Sequence, residues 1–172
     1  LAIGALVMAG GVMAADSIDG TASAKVIAPI SVVQDAGMEF GSFSTSAGDQ
    51  TVIISPGATL SGTALRSTFG NAPAAGAFTV SGENSYAFSL TMPTTGSVAI
   101  GGASGTSAMA LSGFTVAPAS GSTAFVGTGP TYTSALNASG KHLFTVGATL
   151  TTVASQLSGA YTGTYPVTVA YN

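Results

Sequence analysis

The chain has 172 residues, 46% of them hydrophobic and only 5% charged, with three Lys/Arg against six Asp/Glu and a net charge of -3. This length makes one globular domain whose core buries roughly two-thirds of the unfolded surface. Its only cations, Lys25, Arg66 and Lys141, form no basic patch for nucleic acid or anionic lipid, and the absence of cysteine rules out disulfides and thiolate metal sites.

The polar positions are filled by Ser, Thr, Gly and Asn, where an ordinary soluble chain carries about 25% charged residues. The first stretch, "LAIGALVMAGGVMA", is an uncharged apolar run that ends in small residues before Ala15-Asp16. It reads as the apolar region and cleavage site of a secretory signal, and it is shorter than the ~20 residues that a bilayer span needs. Residues 1–14 are therefore set apart as a signal remnant, residues 15–26 as an N-terminal arm, and residues 27–172 as the folded domain.

From Ile18 to Val32 the even positions are apolar or small (Ile18, Gly20, Ala22, Ala24, Val26, Ala28, Ile30, Val32), while the odd ones begin Asp19, Thr21, Ser23, Lys25. This alternation marks a half-buried strand. At about 3.3 Å per residue the run would stretch about 50 Å, against about 17–20 Å for a usual strand. Either it breaks at Pro29 and switches sheets, or its front half, from Ile18 to Ala24, is served by something outside its own sandwich.

Further strands are predicted at "MEFGSF", "QTVIIS", "GAFTVSG", "YAFSLTM", "SVAIGG", "MALSGFTVAP", "KHLFTVGATLTTV" and "TYPVTVAY", separated by Gly/Ser/Pro turns, with "GNAPAAG" and "ASGSTAFVGTG" as loops. Short strands at intervals of roughly ten residues point to an all-β sandwich or barrel. In the closing stretch the odd positions Tyr161, Tyr165, Val167, Val169 and Tyr171 form an apolar face opposite a hydroxylated one. That face needs a core, and Pro166, without an N–H, places the strand at an edge, at a bulge or with that position turned from its partner. An edge strand can accept another chain. The predicted core is Phe40, Val52, Ile54, Phe78, Val80, Phe88, Leu90, Phe114, Phe144, Val146, Leu150, Tyr165, Val167 and Val169.

Catalysis finds little to work with. The single histidine, His142, starts a strand and reads as a surface or rim residue, and no serine stands in a G-x-S-x-G elbow. The two glutamates, Glu39 on the solvent side of a strand and Glu83 in a turn, offer no facing pair. Scattered acids such as Asp16, Asp19 and Asp49 lack a calcium-loop pattern. No catalytic, cofactor-binding or metal site is assigned.

The closing "GAYTGTYPVTVAYN" resembles the last strand of chaperone–usher pilins and of spore-coat-protein-U-like subunits. With "AKVIAPISVVQDAGMEFGSF", "TVIISPGA", "AAGAFTVSGENSYAFSLTMP" and "FTVGATLTTVASQLSGAYTGTYPVTVAYN", the chain also resembles secreted bacterial proteins of domain-of-unknown-function family 4402. The resemblance implies an immunoglobulin-like antiparallel β-sandwich with a pilin-like Greek key, exported through the periplasm to the cell surface or beyond.

It also implies association with copies of itself or related subunits, and a periplasmic chaperone and outer-membrane usher as further partners. In that scheme Ile18, Gly20, Ala22, Ala24 and Val26 are the candidate donor strand, although alanines fill a groove less strongly than Val, Ile or Phe. The other reading makes Ile18–Val32 strand one of a self-sufficient sandwich. Two functions follow: a non-catalytic structural subunit of a surface appendage or extracellular assembly, or a monomeric secreted binding or adhesion module. Phe125 and Tyr132 are the aromatic pair that could serve the second.

Overall fold

The computed structural model describes residues 15–44, 48–66, 70–100 and 108–172, so the predicted signal remnant lies outside the described residues. In chain order the strands begin with β1 (Ser31–Ala36), β2 (Phe43–Ser44), β3 (Gln50–Ile54), β4 (Leu60–Gly62), β5 (Leu65–Arg66) and β6 (Gly76–Ser81). They continue with β7 (Ala87–Thr91), β8 (Thr95–Ile100), β9 (Ala108–Pro118), β10 (Thr131–Ala135), β11 (Lys141–Thr152), β12 (Tyr161–Thr162) and β13 (Thr168–Tyr171). All described pairings are antiparallel, and the fold is an all-β sandwich.

The larger sheet has eight strands, ordered β1-β6-β11-β9-β8-β12 with β3 and β4 branching from β11; the smaller is β10-β7-β13. β11 organises the larger sheet. It carries β9 on one side, and on the other it pairs first with β6, to Val146↔Gly76, and then with β3, from Ala148↔Ile54. Gly147 stands at the changeover, where an added Cβ would run into the Ile54 carbonyl and the Ser55 and Pro56 backbone. Only a residue without a side chain lets the two partner strands meet there.

The burial of the strands follows the alternation of the sequence. Along β6 the pattern alternates strictly, with Phe78 and Val80 inward; β7 buries Phe88 and Leu90; β11 buries Phe144, Val146, Ala148 and Leu150. Phe78 and Phe144 stack at 5.3 Å between centroids, across the register pair that joins β6 to β11. Ten predicted core residues are buried, from Val52 to Leu150, and Phe40, Tyr165, Val167 and Val169 pack half-buried against them. Met92, Met109, Leu111 and Leu136 join the core as well.

Three expectations are corrected. His142 is fully buried, at 0% exposure, because the segment between β9 and β10 folds over it. The reading of Ile18–Val32 as one strand does not hold: ladder pairing starts at Ser31, two residues after Pro29, and residues 15–30 belong to no strand. The closing stretch is likewise not one strand. Tyr161 pairs with Ile100 in the larger sheet, while Thr168–Tyr171 pair with β7 in the smaller one.

Candidate assembly interface

Among the described residues the last strand, β13, pairs with β7 alone. β13 runs in the register Thr168↔Thr91, Val169↔Leu90, Ala170↔Ser89, Tyr171↔Phe88, and the next pair is closed by the N–H of Asn172 donating to the carbonyl of Ala87 at 3.3 Å. In an antiparallel ladder hydrogen-bonded and non-bonded pairs alternate, so Thr168, Ala170 and Asn172 turn their backbone groups to β7. β7 agrees from its other side, where Met92 N–H donates to Pro130 and Leu136 N–H to Tyr86, which turns its even residues to β10. Val169 and Tyr171 therefore aim their N–H and C=O groups outward, where β13 is the edge of its sheet.

The same parity places Pro166. Extending the register sets Pro166 opposite Pro93 at a position where both would have to donate, and neither can. The ladder to β7 stops there for that reason, and the outward row of Val167, Val169 and Tyr171 is left with every N–H in place.

Along this side of the sandwich the edge strand of the other sheet, β1, lies next to β13. β1 is mostly exposed, with Val33 59% accessible. Between the two edges Ile30, Val32, Met38, Tyr165, Val167 and Val169 are only half covered. Beyond the C-terminal end of β1 the side opens into a cavity of about 940 Å³ with Met38, Phe40, Phe43, Tyr161 and Tyr165 among its walls and Met109 and Leu111 at its floor. This side is an apolar seam with backbone valences on its lip.

Tyr165 closes the inner end of the seam. Its ring packs on Phe78 and Phe114, at 6.1 and 5.2 Å between centroids. Its hydroxyl is buried with no hydrogen-bond partner, and burial pushes its pKa up to about 12. An added Cβ on Gly76 would come within 2.6 Å of that hydroxyl.

The arm approaches the opposite end. Glu83 accepts the Lys25 ammonium at 2.9 Å and the Ala28 N–H at 3.1 Å, and Lys25 also lies 5.2 Å from the centre of the Tyr86 ring. Lys25 holds the Glu83 carboxyl below the usual carboxylate range, and Glu83 in turn raises the Lys25 pKa. The Tyr171 hydroxyl donates to the Ala28 carbonyl at 2.7 Å and accepts from the Glu83 N–H at 2.6 Å. Before this root the arm covers nothing: residues 15–26 are all exposed, with Ile18 at 96% and Val26 at 95%.

Of the predicted interface residues, Tyr165, Val167, Val169 and Tyr171 come together along one edge, whereas Tyr161 stands apart in β12. Ile18, Gly20, Ala22, Ala24 and Val26 lie on the arm without a covering surface in their own chain. The bonding parity that makes the edge usable was not visible in the sequence. The facing prolines, Pro93 and Pro166, were its only trace.

A family model, domain of unknown function DUF4402, matches residues 30–171. The chain belongs to the DUF4402 family. The match begins one residue before β1, so the exposed arm precedes the region that defines this DUF4402 domain. No curated protein and no solved structure matches the chain. Among the described residues no three His, Cys, Asp or Glu side chains group to hold a metal ion, and no helix is long and apolar enough to cross a membrane.

Proposed function

We propose that this protein is a non-catalytic structural subunit of a bacterial surface appendage or extracellular assembly, in which the N-terminal arm of one copy lies along the open β1/β13 seam of the next. The observation that carries this is the pairing of two incomplete parts. An alternating arm exposes Ile18 and Val26 to solvent, while an edge strand turns its backbone groups and half-covered valines to the same solvent. Adding the arm as a strand beside β13 would satisfy outward N–H and C=O groups and cover apolar surface at about 25 cal/mol per Å².

Residues 15–26 stay exposed in their own chain, and the Lys25–Glu83 pair and the Ala28–Tyr171 hydrogen bond hold the root of the arm. The absence of catalysis in this reading is supported by the sealed position of the one imidazole, His142. Export is supported by the apolar stretch of residues 1–14 in the sequence. A subunit travelling with an open seam needs it covered, and a periplasmic chaperone acting with an outer-membrane usher is the partner class that the pilin resemblance implies.

The test compares the chain starting at Ala15 with one starting at Val26, by light scattering. The first forms multimers or filaments; the second is a monomer that binds a peptide spanning Ile18–Val26. Two monomers, neither binding the peptide, would refute the proposal.

A further inference from the structure

His142 is a fully buried polar side chain on β11. Its ring lies 5.2 Å from that of Phe88 on β7, 4.8 Å from Phe125 in the segment joining β9 to β10, and 6.4 Å from Phe144 on its own strand. Nε2 is 2.8 Å from the carbonyl oxygen of Thr123, so this nitrogen carries the proton and donates. Ser134 on β10 sits 3.0 Å from the same nitrogen and donates to the carbonyls of Thr123 and Ala124 at 3.2 and 3.3 Å. Nδ1 is buried with no partner.

We infer that His142 is an acid-sensitive lock that holds the crossing segment Ala119–Val126 on the sandwich, closed while the imidazole is neutral and released when it is protonated. The segment spans from the larger sheet to the smaller. Ala119 N–H donates to Leu143 at its start, the Ser122 hydroxyl accepts from the Leu143 N–H, and Val126 bridges to Thr133 at its end. Between these ties it is held by His142 and Ser134 and by the ring of Phe125.

Protonation would put an N–H on Nδ1 where no acceptor stands and place a charge among phenylalanine rings. The groups facing the ring are Phe88 from β7, Ser134 from β10, Phe125 and the Thr123 carbonyl from the segment, and Phe144 from β11. Tyr132 reaches it only through Phe125, 5.9 Å from that ring, and among the described residues no carboxylate faces it. Burial accordingly lowers the His142 pKa, against a smaller opposing effect of the Thr123 hydrogen bond.

The sign follows. The neutral form is favoured by the fold, so the full contribution is present above the unfolded value of about 6.5 and is lost as pH falls through the lower folded value. Opening the segment exposes the ring to water and is the cheapest way to admit the proton.

Hydrogen exchange over residues 119–126, corrected for intrinsic rates, tests this at pH 7.5 and pH 5. The lock predicts exchange faster at pH 5, by up to about thirtyfold because that pH lies about 1.5 units below the unfolded value of about 6.5, with no such change in His142→Phe. Equal protection at both pH values, or the same rise in the variant, overturns it. Because the chain has a single histidine, an NMR titration of the unaltered protein decides the matter even if the variant does not fold. A midpoint below 6.5, tracked by the amides of 119–126, supports the lock; an ordinary midpoint or silent amides refute it.

Discussion

The Tyr171 hydroxyl lies 2.7 Å from the carbonyl oxygen of Ala28, and so the last strand holds the root of the arm. The Tyr171 hydroxyl oxygen also accepts the Glu83 N–H at 2.6 Å, which makes one side chain the junction of the arm, the β6–β7 turn and β13. Tyr171→Phe keeps the edge-on ring contact with Tyr86, at 5.9 Å, and removes both hydrogen bonds. It is expected to cost about 1–2 kcal/mol, read as a lower melting temperature, and to speed exchange at the Glu83 amide.

Acid should loosen the same root by a second route. The folded Glu83 carboxyl is held below its ordinary range by the Lys25 ammonium and then by the Ala28 N–H. Its contribution is thus present above the ordinary carboxylate pKa and lost as pH falls through the lower folded value. A fluorophore on the arm should gain mobility over that acid window, and Glu83→Gln should abolish the pH dependence. A probe whose mobility is flat with pH in the unaltered chain would show that the pair does not hold the arm.

Tyr165 offers the opposite sign. Its hydroxyl is buried without a partner, so Tyr165→Phe removes an unpaired polar atom and keeps the ring between Phe78 and Phe114. Thermal melts should show a variant as stable as the parent or more stable by up to about 1–2 kcal/mol. Gly76→Ala, which would press a methyl group on that hydroxyl, should be destabilising, and should recover in part when combined with Tyr165→Phe.

The bonding parity of β13 separates two proline substitutions that look alike in the sequence. Ala170→Pro removes a donor that faces β7 and should cost about 1–3 kcal/mol of fold stability. Val169→Pro removes an outward donor, spares the ladder to β7, and should lower affinity for the arm peptide more than it lowers the melting temperature. Calorimetry of peptide binding beside thermal melts distinguishes the two.

Much of the fold could be read from alternation alone, because a half-buried strand writes its inward face at every second position, as Phe78 and Val80 or Phe144 and Val146 do. Where contacts depended on the third dimension, alternation failed. "MEFGSF" forms only a bridge at Glu39↔Ala74 and the short β2. β10 was hidden behind the turn signals of "VGTGPTYTS", and its place at a sheet edge comes from pairing with β7. His142 looked like a rim residue because nothing in "GKHLFTV" shows that Thr123 and Phe125, about twenty residues earlier, fold over it. The seam was legible as an alternating arm and an apolar terminal face; which backbone groups of that face are free was set by the register with β7.

Disulfide trapping tests the central claim most directly, since the chain has no cysteine of its own. Chains carrying Thr21→Cys or Ser23→Cys on the arm would be mixed under oxidising conditions with separate chains carrying Thr168→Cys or Ala170→Cys, exposed positions on β13. Neighbouring strands lie about 4.8 Å apart, within the reach of a disulfide. An arm laid along this edge predicts covalent dimers from the mixture, and none when the edge cysteine is moved to Thr133 on β10, the opposite edge of the same sheet. No dimer from any arm and β13 pair, or equal yields with Thr133→Cys, would contradict it.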